Sequence, residues 1–482
     1  MGELFGTDGI RGNAGTWPIT SDFFYKIGLA AGYTLSEGKR KVHILVGRDT
    51  RASGKKLQDA LVSGMVSSGM NVIDLGVIPT PAVSMLVKKF DYSAGAVISA
   101  SHNPVDQNGV KFFNREGDKL SESQEEEIEQ ILLNNNFLEK NYFKGQLVDG
   151  QDYKNLYKHS LYEEHPHQYL DGLKILVDCS NGAASVLALE VLNSFGAEVV
   201  SVNSNPDGYN INKDCGSEFT RRHPELFSNN IQNVGASFGI AFDGDADRVV
   251  LVNRNNELID GDHIIGLLAD YLSKKSMLLE NSIVTTVMRN EGLKLYIDSL
   301  DLNLVETPVG DKYVVQALKE IGNKSDQNKM IGLGGEQAGH VILLNNKFST
   351  GDGIRTALFV MRAFVESGKE SFSDFSSQLK KTPQVISSAF IGNGPRFERE
   401  ELDRVEDSIK AEIKDLSRLV LRYSGTEPIF RVMIESNYAM TINELAQISI
   451  QLCRKAQKYA GVPGGKIDIL NCQTGGQIEL ID

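Results

Sequence analysis

Residues 96–104 read AVISASHNP, an apolar run that ends in two serines, a histidine and an Asn-Pro pair. An apolar run of this length predicts a buried strand, and Asn-Pro favours a turn directly after it. Open α/β sheets carry their binding and catalytic groups at the ends of such strands. The stretch therefore predicts an α/β fold in which Ser101 lies at the mouth of a sheet. From this segment alone, a buried strand followed by an ordinary polar loop is an equal alternative.

One order of predicted elements, namely strand, turn, helix and strand, recurs three times along the chain. The three units occupy residues 42–75, 174–200 and 283–305. Each unit is typical of a βαβ arrangement with a parallel pair of strands. The C-terminal part differs, because predicted strands at 419–422 and 429–434 flank a loop and a predicted helix follows at 442–459. We therefore expect three similar α/β domains and a smaller α+β domain.

The length of 482 residues is enough for three or four domains, each with its own core. The pattern of elements places the domain bounds at 1–155, 156–257, 258–372 and 373–482. Within the first domain, residues 124–136 form a predicted helix with four glutamates. Such a charged run indicates a helix face exposed to solvent.

The composition restricts the class of protein. A net charge of −13 is unfavourable for a general nucleic-acid binder, although a small anionic substrate needs only a local cluster of Arg and Lys. The four cysteines show no CxxC pairing and are typical of reduced thiols in an intracellular protein. The first residues lack a signal peptide, and no apolar run approaches the roughly 20 residues that span a bilayer. We expect a soluble, cytoplasmic protein without a nucleic-acid or membrane partner.

Three carboxylates, Asp243, Asp245 and Asp247, alternate with small residues between two apolar runs. At this spacing all three can face one centre, and their oxygens are the ligands that a divalent cation such as Mg²⁺ prefers. An EF-hand loop would need Gly and Glu where Arg248 and Arg254 stand, so that type of site is excluded. A polar hairpin turn is the alternative, but in it the three charges would repel one another. The pattern favours a metal site.

A second polar loop reads RYSGTEP at 422–428, and Arg431 follows three residues later. Two guanidinium groups, two hydroxyls and a glycine that exposes backbone N–H groups are the donors that a phosphate dianion requires. No GxxxxGK[ST] sequence occurs there, so the loop is not of the Walker type. The alternative is an ordinary loop between two strands that happens to carry arginines.

A glycine-rich loop at 334–340 reads GGEQAGH and follows the sequence PVGDK at 308–312. The carboxylate of Glu336 and the amide of Gln337 can exchange hydrogen bonds with sugar hydroxyls. His340 can carry a proton near neutral pH. Glycine-rich loops are common, so this motif alone carries little weight.

These four motifs, taken in their order along the chain, resemble those of the α-D-phosphohexomutase superfamily. Together with FGTDGIRG at 5–12 and TPVGDKYV at 307–314, they are most similar to its bacterial phosphoglucosamine mutase branch. The resemblance extends over nearly the whole chain. It implies three similar mixed-sheet α/β domains and a smaller four-stranded α+β domain at the C-terminus, with the active site in the central cleft.

The same resemblance assigns roles to particular residues. It places a phosphoserine at Ser101 and implies that Ser101, Asp243, Asp245 and Asp247 hold Mg²⁺. The residues expected to take part in the chemistry are Ser101, Lys111, Arg11, His102 and His340. The residues expected to bind the substrate are Arg248, Lys312, Glu336, Gln337, Arg422, Ser424, Gly425, Thr426 and Arg431. Lys111 is the first candidate for acid–base work, which requires that its pKa fall.

The implied reaction is the reversible conversion of glucosamine 6-phosphate to glucosamine 1-phosphate. The phosphoserine gives its phosphoryl group to the sugar, and the bound 1,6-bisphosphate turns end over end before it returns the other phosphate. A hexose 1,6-bisphosphate is the expected activator. Closure of the C-terminal domain is expected from a hinge near 370–385. We expect a monomer or a homodimer.

One residue departs from the superfamily pattern, because Ala338 stands where a serine is normal. The missing hydroxyl removes a contact worth about 0.5–1.5 kcal/mol, which leaves the sugar preference open. A phosphoglucomutase or phosphomannomutase would keep the same catalytic motifs. A non-catalytic phosphosugar-binding protein is a weaker alternative, because it would not need Ser101. A metal-dependent phosphatase would not need the sugar and phosphate loops.

Overall fold

A computed structural model describes residues 4–6, 8–36, 42–134, 144–322, 330–424 and 428–479 of the chain. In this part of the chain the strands form four sheets, of six, five, four and four strands. The first three sheets mix parallel and antiparallel pairs, and every pair in the fourth is antiparallel. The predicted fold class is confirmed.

The first two sheets and their helices occupy the N-terminal half of the chain. The first part contains β1 (Ile10–Asn13), α1 (Ser21–Leu35), β2 (His43–Arg48), α2 (Ala52–Ser67), β3 (Asn71–Val77), α3 (Thr80–Phe90), β4 (Ala94–Ile98), β5 (Gln107–Asn114), α4 (Glu122–Leu133) and β6 (Leu147–Asp149). The second part contains α5 (Tyr153–Tyr162), β7 (Lys174–Asp178), α6 (Ala184–Ser194), β8 (Glu198–Val202), α7 (Gly216–Arg222), α8 (Pro224–Val234), β9 (Phe238–Phe242), β10 (Val249–Asn253) and β11 (Leu258–Ile259).

The other two sheets follow in the C-terminal half. The third part contains α9 (Gly261–Lys274), β12 (Leu278–Thr286), α10 (Glu291–Ser299), β13 (Asn303–Thr307), α11 (Asp311–Gly322), β14 (Ile331–Gly335), β15 (Val341–Leu344) and α12 (Gly353–Ser367). The fourth part contains α13 (Phe372–Ser376), β16 (Gln384–Phe390), α14 (Arg399–Glu412), β17 (Leu416–Tyr423), β18 (Ile429–Ser436), α15 (Ile442–Tyr459) and β19 (Ile467–Asn471).

The first three sheets share one core arrangement. Their strand orders contain β3-β2-β4-β5, β8-β7-β9-β10 and β13-β12-β14-β15. In each set the first three strands are parallel and the last is antiparallel to its neighbour. The turn between the third and fourth strands of each set carries one of the motifs found in the sequence. We call these turns the serine loop (99–106), the aspartate loop (243–248) and the sugar loop (336–340).

The first strand predicted from the sequence is buried on both faces. All five residues of β4 are buried, with Val97 in an apolar cluster that continues into the second and third sheets. Ile98 lies in a separate cluster on the other face, against α1 and α2. Strands covered by helices on both faces are expected to be apolar throughout. The serine loop is therefore anchored at the end of one of the most buried strands.

One apolar cluster joins the first three parts of the chain and includes Phe372 and Phe375 of α13, while the C-terminal sheet has its own cluster. Val97, Phe238 and Leu333, from three different sheets, belong to the joint cluster. A separate cluster holds Phe430 and Leu445 of the C-terminal part. The predicted domain bound at residue 155 falls within α5, and the bound at residue 372 falls at the first residue of α13. The division into four domains at the predicted positions stays a prediction.

One sequence-based expectation about the surface was wrong in part. The glutamate-rich helix exists as α4, but Glu129 is buried, and its carboxylate accepts the backbone N–H groups of Leu4 and Phe5 at 2.6 Å each. A local charge pattern cannot predict this, because the partner lies more than 120 residues away in sequence. The last two residues of the predicted helix lie outside the described residues.

All four cysteines lie in the described part of the chain, where each is a buried free thiol, as expected. Among the helices described, none is both long enough and apolar enough to cross a bilayer.

Candidate active site

The serine loop and the aspartate loop meet at Ser101. The Ser101 hydroxyl donates a hydrogen bond to Asp243 Oδ2 at 2.7 Å, although the two residues are 142 positions apart. Both side chains are fully buried. The structure thus brings together the first two predicted motifs at one point.

Ser101 has a left-handed backbone conformation, with φ of +52°. A residue with a side chain is strained there, and the conformation persists only where the surroundings enforce it. The Ser101 N–H donates to Ser99 Oγ at 2.8 Å, and Ser99 donates in turn to Asp49 Oδ2 at 2.7 Å. In this conformation the Ser101 hydroxyl faces the aspartate loop.

Two further side chains hold the carbonyl groups of the serine loop. Arg51, which is fully buried, donates to the carbonyls of Ser101 at 3.0 Å and Asn103 at 2.8 Å, and pairs with Asp49 at 2.9 Å. Asn212, from the second part of the chain, donates to the same two carbonyls at 2.8 and 3.0 Å. Arg51 and Asn212 together therefore form a clamp on the backbone of the serine loop.

The three aspartates form a buried carboxylate cluster that suits a divalent cation. Asp243, Asp245 and Asp247 each offer an oxygen, and these oxygens lie within 4.8 Å of one another. Oδ1 of Asp245 is buried and has no hydrogen-bond partner within the described part of the chain, which would be costly unless a cation satisfied it. Burial and the two neighbouring carboxylates hold the pKa of Asp243 well above its usual value. The donor set of hard oxygens fits Mg²⁺.

Lys111 lies against the same cluster. Its ammonium is 2.7 Å from Asp245 Oδ2 and 3.1 Å from Asp247 Oδ2. Burial lowers the pKa of Lys111, but the two carboxylates outweigh it and raise the pKa above its usual value. This is opposite to the fall that acid–base work would require, because the carboxylates stabilise the charged ammonium.

His102 and Arg248 lie beside the serine hydroxyl. His102 Nδ1 is 3.4 Å from Ser101 Oγ and 3.1 Å from Arg248 Nη1. Burial and the Arg248 charge hold the pKa of His102 well below its usual value, so the ring is neutral. The Arg248 backbone N–H donates to Asp243 Oδ1 at 3.1 Å. The backbone of Arg248 thus contacts Asp243 of the aspartate loop, and its side chain contacts His102 of the serine loop.

Arg11 and His340 are two further predicted residues of the site. Arg11 forms an ion pair with Asp8, and burial lowers the pKa of its guanidinium. His340 Nδ1 is 3.5 Å from Asp247 Oδ1, and its Nε2 is 3.4 Å from Asp311 Oδ2. The imidazole therefore bridges two carboxylates, one on the aspartate loop and one at the start of α11.

The predicted sugar-binding residues differ in where their side chains lie. Glu336 is half-buried, and its carboxylate accepts the Gly310 N–H at 3.2 Å. Ala338 is also half-buried, whereas Gln337 is 4% exposed and turns into the protein. The Lys312 ammonium contacts Glu122 of α4 at 2.7 Å.

The predicted phosphate loop brings two arginines side by side. Arg422 on β17 and Arg431 on β18 are directly opposite each other in the antiparallel register. Burial and the Arg431 charge lower the pKa of Arg422 to about 10, while Glu336 acts in the opposite direction. Arg422 Nε is buried and has no hydrogen-bond partner among the residues that the structure describes. Two adjacent, partly buried guanidinium groups of this kind suit an anion.

The remaining predicted residues of this loop are only partly described. Ser424 is buried at the end of β17, and its N–H donates to the carbonyl of Ile429 at 2.8 Å. Gly425 and Thr426 lie outside the described residues.

Several residues that contact the site were not identified from the sequence. They are Asp8, Asp49, Arg51, Thr80, Asn212 and Asp311. Thr80, for example, donates to Asp245 Oδ2 at 2.6 Å. Asp8 and Asp311 lie within the sequences FGTDGIRG and PVGDK, which carried a signal, while Thr80 and Asn212 stand in stretches without a motif.

Comparison with known proteins places the chain and its fold in one superfamily. Family models described as phosphoglucomutase/phosphomannomutase alpha/beta/alpha domains I, II and III match residues 2–139, 155–256 and 260–382. A solved structure of a phosphoglucomutase/phosphomannomutase family protein from Burkholderia thailandensis superposes with a TM-score of 0.74 at 22% identity, covering 96% of this chain and 98% of that chain. An Aspergillus fumigatus N-acetylphosphoglucosamine mutase in complex with GlcNAc-6P and magnesium has a TM-score of 0.64 at 16% identity, covering 95% and 96%.

A closer relative narrows the assignment. A phosphoglucosamine mutase of Clostridium novyi (strain NT) is 40% identical over 460 residues, which cover 92% of this chain and 97% of that protein. The chain therefore belongs to the phosphohexomutase superfamily and, within it, to the phosphoglucosamine mutase family.

Proposed function

We propose that this protein is an enzyme that interconverts glucosamine 6-phosphate and glucosamine 1-phosphate through a phosphoserine at Ser101. The observation that carries the proposal is the buried Ser101 hydroxyl, held 2.7 Å from Asp243 in a cluster of three carboxylates. A serine that only packs in a core needs neither a strained conformation nor a carboxylate cluster. The high identity to a phosphoglucosamine mutase supports the choice of amino sugar.

The chemistry requires positioning and neutralisation of charge more than covalent activation. The phosphorus–oxygen bond at Ser101 breaks as the 1-hydroxyl oxygen of the sugar bonds to phosphorus; the sugar hydroxyl gives its proton to a base, and the leaving Ser101 Oγ takes up a proton. In the return step the 6-phosphate moves to Ser101. When bound, a divalent cation held by Asp243, Asp245 and Asp247 supplies positive charge to the phosphoryl oxygens.

The chain's own residues supply the rest of the site. The backbone clamp on the serine loop fixes the Ser101 oxygen for in-line attack. Arg11 and Arg248 bring positive charge toward the transferring phosphoryl group, while His340 links the aspartate loop to α11. Lys111 is the proposed acid–base group once the charge on Asp245 and Asp247 is neutralised.

The other end of the substrate meets the sugar loop and the paired arginines. Glu336 is proposed to accept hydrogen bonds from sugar hydroxyls, and Arg422 and Arg431 to hold the phosphate that is not being transferred. Activation by a hexose 1,6-bisphosphate, the reorientation of that intermediate, a cytoplasmic location and a monomeric or homodimeric state belong to the same proposal. The complex of the Aspergillus enzyme with GlcNAc-6P and magnesium supports the classes of substrate and metal.

Phosphorus NMR of the purified protein tests this function. Glucosamine 6-phosphate, glucose 6-phosphate and mannose 6-phosphate are offered separately with Mg²⁺ and a trace of hexose 1,6-bisphosphate. We expect the 1-phosphate signal to grow fastest from the amino sugar. Ser101→Ala should abolish it, whereas Ser63→Ala, at an exposed serine of α2, should not.

Each other outcome has a defined meaning. Faster conversion of glucose or mannose phosphate would keep the mutase chemistry and overturn the sugar assignment, with Ala338 the first residue to exchange for serine. Absence of conversion with every sugar would overturn the mutase proposal itself.

A further inference from the structure

The side chain of Gln337 is buried, whereas its neighbour Glu336 is half-buried. Its amide nitrogen donates to Asp262 Oδ2 at 2.9 Å and to Gln384 Oε1 at 2.7 Å, and all three side chains are buried. Asp262 belongs to α9, and Gln384 is the first residue of β16. Gln337 thus connects the sugar loop both to α9 of the third part and to β16 of the fourth part of the chain.

Both partners of Gln337 are themselves fixed. Asp262 Oδ2 also accepts the backbone N–H of Asn290 at 2.9 Å. The Gln384 amide donates to the backbone carbonyl of Arg289 at 3.1 Å. A buried polar group of this kind is costly to leave unpaired, so the loss of one member affects the others.

Further buried contacts continue the network into the C-terminal sheet. Thr382 exchanges hydrogen bonds with the Asn290 side chain at 3.0 Å and donates to Glu435 Oε1. Glu435 lies on β18 and is paired with Gln384 in the antiparallel register. We call this network the Gln337 clasp; its members are Gln337, Asp262, Asn290, Thr382, Gln384 and Glu435.

One member of the clasp, Glu435, lies on the same strand as Arg431 of the predicted phosphate site. Glu435 and Arg431 are four residues apart on β18, so they share one face at a separation of roughly 13 Å. Arg431 is opposite Arg422 in the register. Because a strand is rigid over this length, the clasp fixes where the two arginines stand relative to Glu336.

We propose that Gln337 is a positioning residue that sets the distance between the sugar loop and the paired arginines, and that it does not bind the sugar. This inference rests on the proposed function and reassigns one residue that sequence reasoning placed among the sugar ligands. A sugar phosphate must be held at both ends, so the spacing of its two subsites governs affinity while the Ser101 chemistry stays intact.

Three variants test the proposal by steady-state kinetics: Gln337→Leu, Gln384→Leu and the double variant. We expect each single variant to raise KM for glucosamine 6-phosphate by about tenfold or more, with kcat changed much less. The preference for glucosamine 6-phosphate over glucose 6-phosphate should stay within about twofold of wild type. The double variant should be no worse than either single one, because both remove one connection. Gln316→Leu, at an exposed glutamine, is the matched control.

Hydrogen–deuterium exchange gives a readout that does not depend on turnover. In Gln337→Leu the backbone N–H groups of Asn290 and Thr382 should exchange faster, because the side chains that accept them belong to the clasp. If Gln337→Leu does not fold, Gln384→Leu carries the same test from the other side.

The proposal is overturned if Gln337→Leu changes the sugar preference while exchange and Gln384→Leu match wild type. That result would make Gln337 a sugar ligand. If wild type itself converts no sugar phosphate, the proposed function fails, and the exchange measurement still decides whether the clasp exists.

Discussion

Ser101 is fixed by two sets of contacts from different parts of the chain. Its backbone is held by Ser99, Arg51 and Asn212, and its hydroxyl by Asp243. If Ser101 carries the phosphoryl group as proposed, preorganisation of this kind removes the need to order its hydroxyl during the reaction. These contacts account for both the strained backbone of Ser101 and the position of its hydroxyl beside the carboxylates.

Arg51 allows a test of this arrangement. Arg51→Met leaves Asp49 buried without its partner and frees the loop carbonyls, so we expect a loss of unfolding free energy on the order of 3–5 kcal/mol. Urea denaturation measures it. Arg115→Met, which removes an exposed pair with Asp91, should cost less than about 1 kcal/mol. Equal effects of the two substitutions would contradict the role given to Arg51.

The sequence allowed some of these residues to be identified and not others. The spacing of the three aspartates indicates a shared site by itself, whereas Ser101 was identified through the combination of four motifs that resembles the superfamily. The inward turn of Gln337 and the burial of Glu129 depend on partners far away in the chain, about which local spacing holds no information. Lys312 was predicted to bind substrate, and the structure pairs its ammonium with Glu122.

The repeated strand order of the first three sheets explains where three of the motifs lie in the fold. In each of the first three sheets the motif occupies the turn into the antiparallel fourth strand. The βαβ units were predictable from apolar runs and turn residues. The antiparallel strand was not, because an apolar run gives no direction, and its orientation is set by the short turn that precedes it.

Strand β18 carries a buried carboxylate whose titration can be followed. Burial raises the pKa of Glu435 to about 7, against contacts from Thr382, the Glu291 N–H and Arg418. Between its ordinary value and about 7, the folded protein keeps a proton that the unfolded chain has lost. Stability should therefore fall as pH rises through this range, by roughly 3 kcal/mol at most.

Glu435→Gln removes this titration. We expect the difference in unfolding free energy between about pH 5 and pH 8 to shrink in the variant relative to wild type. Glu126→Gln, at an exposed position of α4, should leave the pH profile unchanged. A Glu435→Gln profile that follows wild type would show that the carboxyl titrates normally.

At the scale of the whole molecule, three sheets share a continuous core while the C-terminal sheet has its own. The fourth part meets the third through the Gln337 clasp and through Lys381, which pairs with Asp260. Lys381 and Thr382 fall within the predicted hinge at 370–385, so any rotation there must begin outside these anchored residues. The hinge itself stays a prediction.

Metal binding should stabilise the folded molecule as a whole. A ligand that binds only the folded state at 100 times its Kd adds about 2.7 kcal/mol, so saturating MgCl₂ should raise the thermal midpoint of the EDTA-treated protein. Asp245→Asn should lose most of this shift. Asp207→Asn, at an exposed aspartate, should retain it. An unchanged wild-type midpoint would argue against a cation at the aspartate loop.

The central claim is that Ser101 carries the phosphoryl group that is transferred. The most direct measurement treats the protein with hexose bisphosphate bearing a radioactive phosphorus label, removes free sugar, and chases with unlabelled glucosamine 6-phosphate. We predict that label appears on the peptide containing Ser101 and passes to the amino sugar during the chase. Label that stays on the protein, or that appears equally in Ser101→Ala, would contradict the account.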